Sequence, residues 1–534
     1  MRQFPWIRPL VAAYANDYPS VAPMFSGDPS SPVAWRETIA RVARAPRDRD
    51  HLTAVVAAQL ERRGAPPAAR AAAARLQDPA SVAIVTGQQA GLFGGPLYTL
   101  LKAVTALQLA SRVSQEHGTP TIAVFWIDEE DHDWNEIRSA EILDEQLTVQ
   151  KITLADVEGA GVRPVSALVL DAGINDALQE LEQALAPTEF TADVMAGLRA
   201  WYRPGVGVAA AFAGWIETLL GPQGLVVFEA GDPAAKPLVT EVFCRELDHP
   251  GRTASLARDA GAEMLKFGHQ PQVEPAEDSV GLFVVDESGR HPVKRQDGQF
   301  TAGDAVTTPA ALRAEVQSSP ERFSPNVLLR PIVEETLFPT ACYVGGPSEL
   351  AYHAQLKGVY RAFGVEPPLL YSRASATLLD SACIRFLDRY QLPLEALQVR
   401  DDSALNKLLE SELPPTIERA LDEASKEITR LADAIKPDVA AIDPTLSGAV
   451  DSTVSRMHDT LKTLHHKIVQ ASKRKDDTLR RQFTRARALA FPGGGPQERV
   501  LTLVYFLNRH GLSLTDRLLE SLPLDTGKHY LLTL

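Results

Sequence analysis

The sequence predicts an α/β fold: a parallel-sheet core with small inserted subdomains, plus a long α-helical coiled-coil domain. Three stretches carry that reading. Residues 81–127 run strand, glycine-rich loop, helix, strand, a βαβ unit that implies a parallel sheet. Residues 281–295 have an apolar arm, a Glu-Ser-Gly turn and a basic return arm, which is a β-hairpin set into that core. Residues 417–471 hold two successive heptad seams. The first is Ile417, Leu421, Ala424, Ile428, Leu431 and Ile435; the second runs from Val450 and Val454 through Met457, Leu461, Leu464 and Ile468 to Ala471. Seams of that length mean an antiparallel helical hairpin or a dimerising coiled coil.

In chain order, residues 1–80 are alanine-rich and read as a helical lead-in packing on the core, with GAPPAAR at 64–70 ending one helix and starting another. The core spans 81–385, with insertions at about 140–223 and 265–320, the first including a strand pair around 147–172. The coiled-coil domain spans 386–490, with KPDVAAIDP as the turn between its seams. Residues 491–534 return to the core through FPGGGPQERV and an apolar helix.

The first core strand is Val82–Val85, and Thr86–Gly95 follows as a loop with Gly87, Gly91, Gly94 and Gly95. Pro96 then opens a helix, as proline does in a first turn. Strand, glycine loop and helix together expose backbone N–H groups to an anion. Neither GxGxxG nor GK[ST] is present. Gln88 and Gln89 add directional amides inside the loop.

The second strand, Thr121–Ile127, runs straight into DEEDHDWNEI. That places Asp128, Glu129, Glu130, Asp131, His132, Asp133 and Glu136 at a strand's carboxyl end, where open α/β sheets bind ligands. Trp126, His132 and Trp134 are interleaved with the acids. His132 reads as a general acid/base oriented by Asp131 or Asp133, or as a metal ligand. Further strands are Gly224–Glu229, Cys342–Val344 and Leu369–Tyr371. After Cys342–Val344 a second glycine turn, Gly345-Gly346-Pro347, leads into a helix opened by Ser348 and Glu349. Arg330 and Arg373 are the arginines chosen to hold a carboxylate or phosphate. The second seam helix is basic towards its end, through Lys462, Lys467, Lys473, Arg474 and Lys475 to Arg480, Arg481, Arg485 and Arg487, a solvated or phosphate-binding face.

At 534 residues the chain exceeds one ordinary core. A net charge of -14 argues against general nucleic-acid binding. Three separated cysteines with no CxxC indicate neither a disulfide framework nor a cysteine zinc site, and fit a reducing cytoplasm. The N-terminus lacks a signal-peptide pattern, and no apolar run approaches the roughly 20 residues of a membrane span.

TGQQAGLFGGPLYTLLKAV, FWIDEEDHDWNEI, LRPIVEETLFPTACYVGGPSELAYHAQLK and FPGGGPQERVLTLVYFLNRHG occur in this order, with the coiled coil before the last. Together they resemble the bacillithiol cysteine ligase family (BshC), over most of the chain from about residue 80. The resemblance implies a Rossmann-like core, homodimerisation through the coiled coil, and ligation of cysteine to the amine of glucosaminyl-malate. It also implies adenine-nucleotide binding, so ATP or ADP is the expected cofactor, with magnesium as its companion and no zinc. HIGH and KMSKS motifs are absent, a departure from the class I synthetases that the core resembles.

On this reading Asp131, His132 and Asp133 bind the amine and supply acid/base function. Gly87, Gln88, Gln89, Gly91, Gly94 and Gly95, with Tyr98 and Trp126, bind an anionic or sugar group. Asn326, Arg330, Tyr343, Gly345, Gly346, Glu349 and Arg373 hold malate or the activated carboxylate. No nucleic acid or membrane partner is expected. The rival readings are a different amide- or ester-forming enzyme on the same scaffold and a dimeric nucleotide-binding protein without turnover.

Overall fold

The computed structural model describes residues 7–398, 401–411, 415–475 and 477–533. They divide into two compact units: residues up to 377 with 497–532, and residues 378–496.

Two helices near the start of the first unit are capped by their own sequence. Ser31 accepts from Ala34 N–H ahead of α1 (Pro32–Arg44), and Asp48 from His51 N–H ahead of α2 (Arg49–Arg63). Gly64, at φ 70°, ends α2, and Pro67 starts α3 (Pro67–Ala74). Arg63 ties these helices to the sheet. It pairs with Glu217 and Glu229 and donates to Val227 O at 2.7 Å.

The core sheet starts with β1 (Val82–Gln88), longer than the expected Val82–Val85. Gly87 pairs with Trp126 and Gln88 with Ile127, so the first two loop residues after Thr86 are strand. Helix α4 (Leu97–His117) takes Pro96 as its N-cap, and β2 (Thr121–Ile127) is buried throughout. The one-turn helix α5 (Trp134–Ile137) follows. The first insertion's strand pair is β3 (Ser139–Leu143) with β4 (Val149–Thr153), not 147–172. Its apolar alternation starts at Ala140, and 154–172 forms only one isolated bridge, Val169 to Gly207.

Strand β5 is Val226–Glu229. The hairpin at 281–295 exists as β6 (Ser279–Asp286) and β7 (Gly289–Gln296). It belongs to a five-stranded antiparallel sheet with β8 (Gln299–Ala302), β9 (Ala305–Thr307) and β10 (Phe323–Pro325). Helix α6 (Arg330–Leu337), β11 (Thr340–Gly345), α7 (Pro347–His353) and β12 (Leu369–Ser372) complete the core. The core sheet has the order β12-β11-β1-β2-β5, all parallel. Its connections reverse direction between β1 and β11, the switch point where such sheets bind ligands.

In the second unit, α8 (Pro415–Ile442) and α9 (Leu446–Lys475) pack as an antiparallel hairpin. Lys436 bonds Asp451 at 2.7 Å and His458 meets Ser425 Oγ at 2.8 Å across it. The helix runs through Pro437 to Ile442, so the turn is Asp443-Pro444-Thr445 rather than the whole of KPDVAAIDP. No residue of α8 is fully buried. Helix α10 (Asp477–Ala490) follows, where Arg485 and Arg487 pair with Asp380 and Asp402. The side chains of Lys473, Arg474 and Lys475 lie outside the described residues. Back in the first unit, α11 (Gln497–Val500) and α12 (Leu503–His510) close the core.

Candidate active site

A cleft of about 570 Å³ lies at the switch point. Its walls come from the residues that end or follow the parallel strands: Gly87 and Gln88 on β1, Gln89 after it, Asp128 after β2, Gly346 after β11 and Arg373 after β12. The antiparallel sheet adds Phe283 and Arg290, and the C-terminal return adds Arg499.

The floor is a buried ion pair. Lys102, on α4, donates to Gly87 O at 2.7 Å and Gln88 Oε1 at 2.9 Å, and pairs with Glu349 Oε2 at 2.5 Å. Glu349 also accepts from Tyr343 Oη at 2.5 Å and Gly346 N–H at 2.7 Å. Burial opposes its charge, but Lys102 and these donors outweigh it, so its pKa falls below the usual carboxylate range. Burial lowers the Lys102 pKa, and Glu349 opposes that shift. Gln88 donates onward to Tyr98 Oη at 3.2 Å. Asn326 lines the cleft, and its side chain accepts from Leu328 and Leu329 N–H, both at 3.0 Å.

The acidic run is divided by its partners. Glu129 turns inward to accept from Gly231 N–H at 2.8 Å, and burial, with Glu229 next, pushes its pKa up to about 8. Glu130 is buried against Lys236. Asp133 caps α5, accepting from Glu136 N–H at 3.3 Å. That leaves Asp128, Asp131 and Glu136 on the cleft. Burial raises the pKa of Asp128, with Arg330 opposing, and burial also raises that of Glu136, with Asp133, Asp131 and Asp128 adding to it. Gln89 donates to Asp131 at 3.4 Å. His132 is not in the wall: its ring is 41% exposed, with Nδ1 3.3 Å from Asp131 and 3.4 Å from Arg290.

Arg290 is central on the far side. It stacks over Phe283, donates to Ser324 Oγ at 3.0 Å and Pro325 O at 3.1 Å, and pairs with Asp131 at 3.3 Å. Arg330 bonds Tyr352 and pairs with Glu334 at 3.1 Å and Asp128 at 3.9 Å. Arg373 makes a bidentate pair with Glu498, at 2.7 and 3.0 Å.

Several expected ligand residues lie elsewhere. Trp126 is buried beneath the site, its ring packed on Phe228 and Phe338. Gly91, Gly94 and Gly95 do not line the cleft. A Cβ on Gly94 would come within 3.2 Å of Trp215 and Leu503, and its φ of 99° favours glycine. Several loop and helix-start amides are engaged: Gly94 N–H with Gly91 O, Gly95 N–H with Leu92 O and Leu97 N–H with Leu501 O at 2.9 Å. The 501–503 segment therefore covers the place where a Rossmann loop would cradle phosphate. Gly345 faces a small adjoining pocket instead, and its carbonyl accepts from Arg373 N–H at 2.9 Å.

Sequence reasoning missed Lys102, Arg290, Phe283, Tyr352 and Arg499 as cleft residues. Lys102 had a signal, a lone cation between apolar turns of α4. Arg290 had only its place on the basic arm of the hairpin.

A parallel sheet with a charged cleft at its switch point defines a Rossmann-like fold with a small-molecule-sized site. Among the described residues, no group of three or more His, Cys, Asp and Glu side chains is arranged to hold a metal ion. No described helix is long and apolar enough to cross a membrane.

The chain belongs to the bacillithiol biosynthesis BshC family: residues 3–374 match its N-terminal Rossmann-like domain and residues 376–534 its C-terminal coiled-coil domain. It is 34% identical over 525 residues to the protein named "Putative cysteine ligase BshC" of Salinibacter ruber, covering 97% of this chain and 95% of that one. Proteins of the same name from Symbiobacterium thermophilum and Bacillus pumilus are 32% and 28% identical, covering 97% and 82% of this chain and 96% and 81% of theirs.

Proposed function

We propose that this chain is a ligase that joins L-cysteine to the amine of glucosaminyl-malate, forming the amide bond of bacillithiol. The observation that supports it most is that the cleft presents both signs of charge. Asp128 and Asp131, from the loop after β2, and Glu136, on α5, bring carboxylates to it. Arg290 and Arg330 lie against Asp131 and Asp128, Arg373 is held by Glu498, and Arg499 comes from the C-terminal return. An amine nucleophile and a carboxylate-bearing partner need both signs, and fixed charge of this kind stabilises an acyl-transfer transition state.

Amide formation from a free carboxylate needs activation, and ATP is the activator this reading expects. The first glycine loop does not fit the usual triphosphate cradle, because the N–H groups of Gly94 and Gly95 are engaged within the loop and that of Leu97, at the start of α4, by Leu501 O. At the second turn Gly346 N–H is engaged by Glu349. A homodimer built on the coiled-coil hairpin and a cytoplasmic location belong to the same reading. Half-exposed Leu431, Ile435, Met457 and Leu464 support the dimer.

Mass spectrometry on the purified chain with glucosaminyl-malate, L-cysteine and ATP-Mg²⁺, omitting each in turn, tests the function. A cysteinyl product dependent on both substrates is expected. Its absence in the complete mixture, with glucosaminyl-malate bound, would overturn the ligase reading and favour binding without turnover.

A further inference from the structure

The cleft carries five cations and four carboxylates in its walls. Most are matched inside the protein. Lys102 pairs with Glu349, Arg290 with Asp131, and Arg330 with Glu334 and Asp128; Arg373 pairs with Glu498. A matched guanidinium has little left to offer a substrate carboxylate, because its fork is already filled.

Two cleft charges have no oppositely charged partner among the described residues. One is Arg499, which lines both the cleft and the small pocket beside it, next to Arg373. The other is Glu136, on α5, which has Gln89 against its carboxylate and no cation. Both line the cleft alongside Tyr98. Both residues are solvent-exposed, yet partial burial of their charged ends disfavours the free charge, raising the Glu136 pKa and lowering that of Arg499.

We infer that Arg499 and Glu136 are the cleft's ligand-recognising charges, Arg499 taking a carboxylate and Glu136 an ammonium group. Arg373, held by Glu498, is then not the primary carboxylate ligand. The inference deepens the ligase reading and rests on it only for the substrate's identity. The chemistry required is an amine together with a carboxylate, which glucosaminyl-malate and free L-cysteine both provide.

Calorimetric titration of the full-length chain tests this with four probes: L-malate, glucosamine, L-cysteine and glucosaminyl-malate. Arg499→Gln is expected to weaken every carboxylate-bearing probe that the wild type binds by about 10- to 100-fold, the range of one charge-assisted bond, and to leave glucosamine unchanged. Glu136→Gln should do the reverse, weakening glucosamine and leaving L-malate unchanged. Arg499→Lys should recover part of the loss. Of the two bifunctional probes, the one weakened by both variants is the occupant of this pair. Both residues are exposed, so the variants should keep the wild-type circular dichroism spectrum. Equal weakening of all probes by either variant, or wild-type affinity in both, would overturn the inference. Charge-selective binding without any ligated product would leave it standing and remove the ligase reading instead.

Discussion

Replacing Glu498 with alanine should detach the C-terminal return from the core. Its carboxylate accepts from Arg373 at 2.7 and 3.0 Å, from Ser375 Oγ at 3.0 Å and from Ala376 N–H at 3.0 Å. The Arg373 and Glu498 side chains are 4% and 3% exposed. Removing one partner of such a pair leaves a buried charge uncompensated, which costs about 3–5 kcal/mol. With two units in the chain, a single melting temperature mixes their transitions, so the readout should be local. Hydrogen exchange at Thr502 and Leu503 suits this, because their N–H groups donate across the junction to Glu141 O and Gly95 O, each at 2.8 Å. Protection there should fall roughly 150- to 4,000-fold. The double change Arg373→Met with Glu498→Leu should recover much of it, since an apolar pair leaves no stranded charge. The pH dependence has a defined sign. Burial opposes the Glu498 charge, but Arg373 outweighs it and the pKa lies below the usual range. The stabilisation is full above the unfolded value near ~4.3 and is lost as pH falls through the folded pKa. Unchanged exchange at both amides in Glu498→Ala would refute the anchor.

Three further outcomes follow from the same physics. Burial, then Arg330, pushes the His353 pKa down to about 3, with Glu349 opposing, so its neutral form is favoured in the fold. Its contribution is present above ~6.5 and is lost on acidification, by about 2 kcal/mol at pH 5; His353→Asn should flatten that slope in urea titrations, and an unchanged slope would contradict it. Gly94→Ala puts a Cβ at φ 99° against Trp215 and Leu503, so it should cost about 1–3 kcal/mol in denaturation while ligand affinity stays near wild type; a selective loss of affinity would restore the loop as a binding element. Leu431→Glu combined with Leu464→Glu should convert a dimer to a monomer in sedimentation velocity without weakening ligand binding in the cleft, and a dimer that persists would move the interface elsewhere.

What the sequence reveals here stops where pairing begins. Thr121–Ile127 was readable because a β-branched apolar run bounded by turn residues has few alternatives to a buried strand. The heptad seams were readable for the same reason, since spacing alone brings them onto one face of a helix. The end of β1 was not: Gly87 and Gln88 look like loop, and only their pairing with Trp126 and Ile127 holds them extended. The acidic run shows the same boundary within ten residues. Its place after a buried strand marked the site. Yet whether Glu130 faces solvent or core depends on Lys236, 106 residues away, and Glu129 depends on a backbone amide at Gly231. Arg373 matched every local criterion for an anion ligand, and Glu498, 125 residues further on, already occupies it. Local pattern therefore locates charges at a sheet edge. The long-range partners decide which of those charges remain for a ligand, and in this cleft the remainder is Arg499 and Glu136.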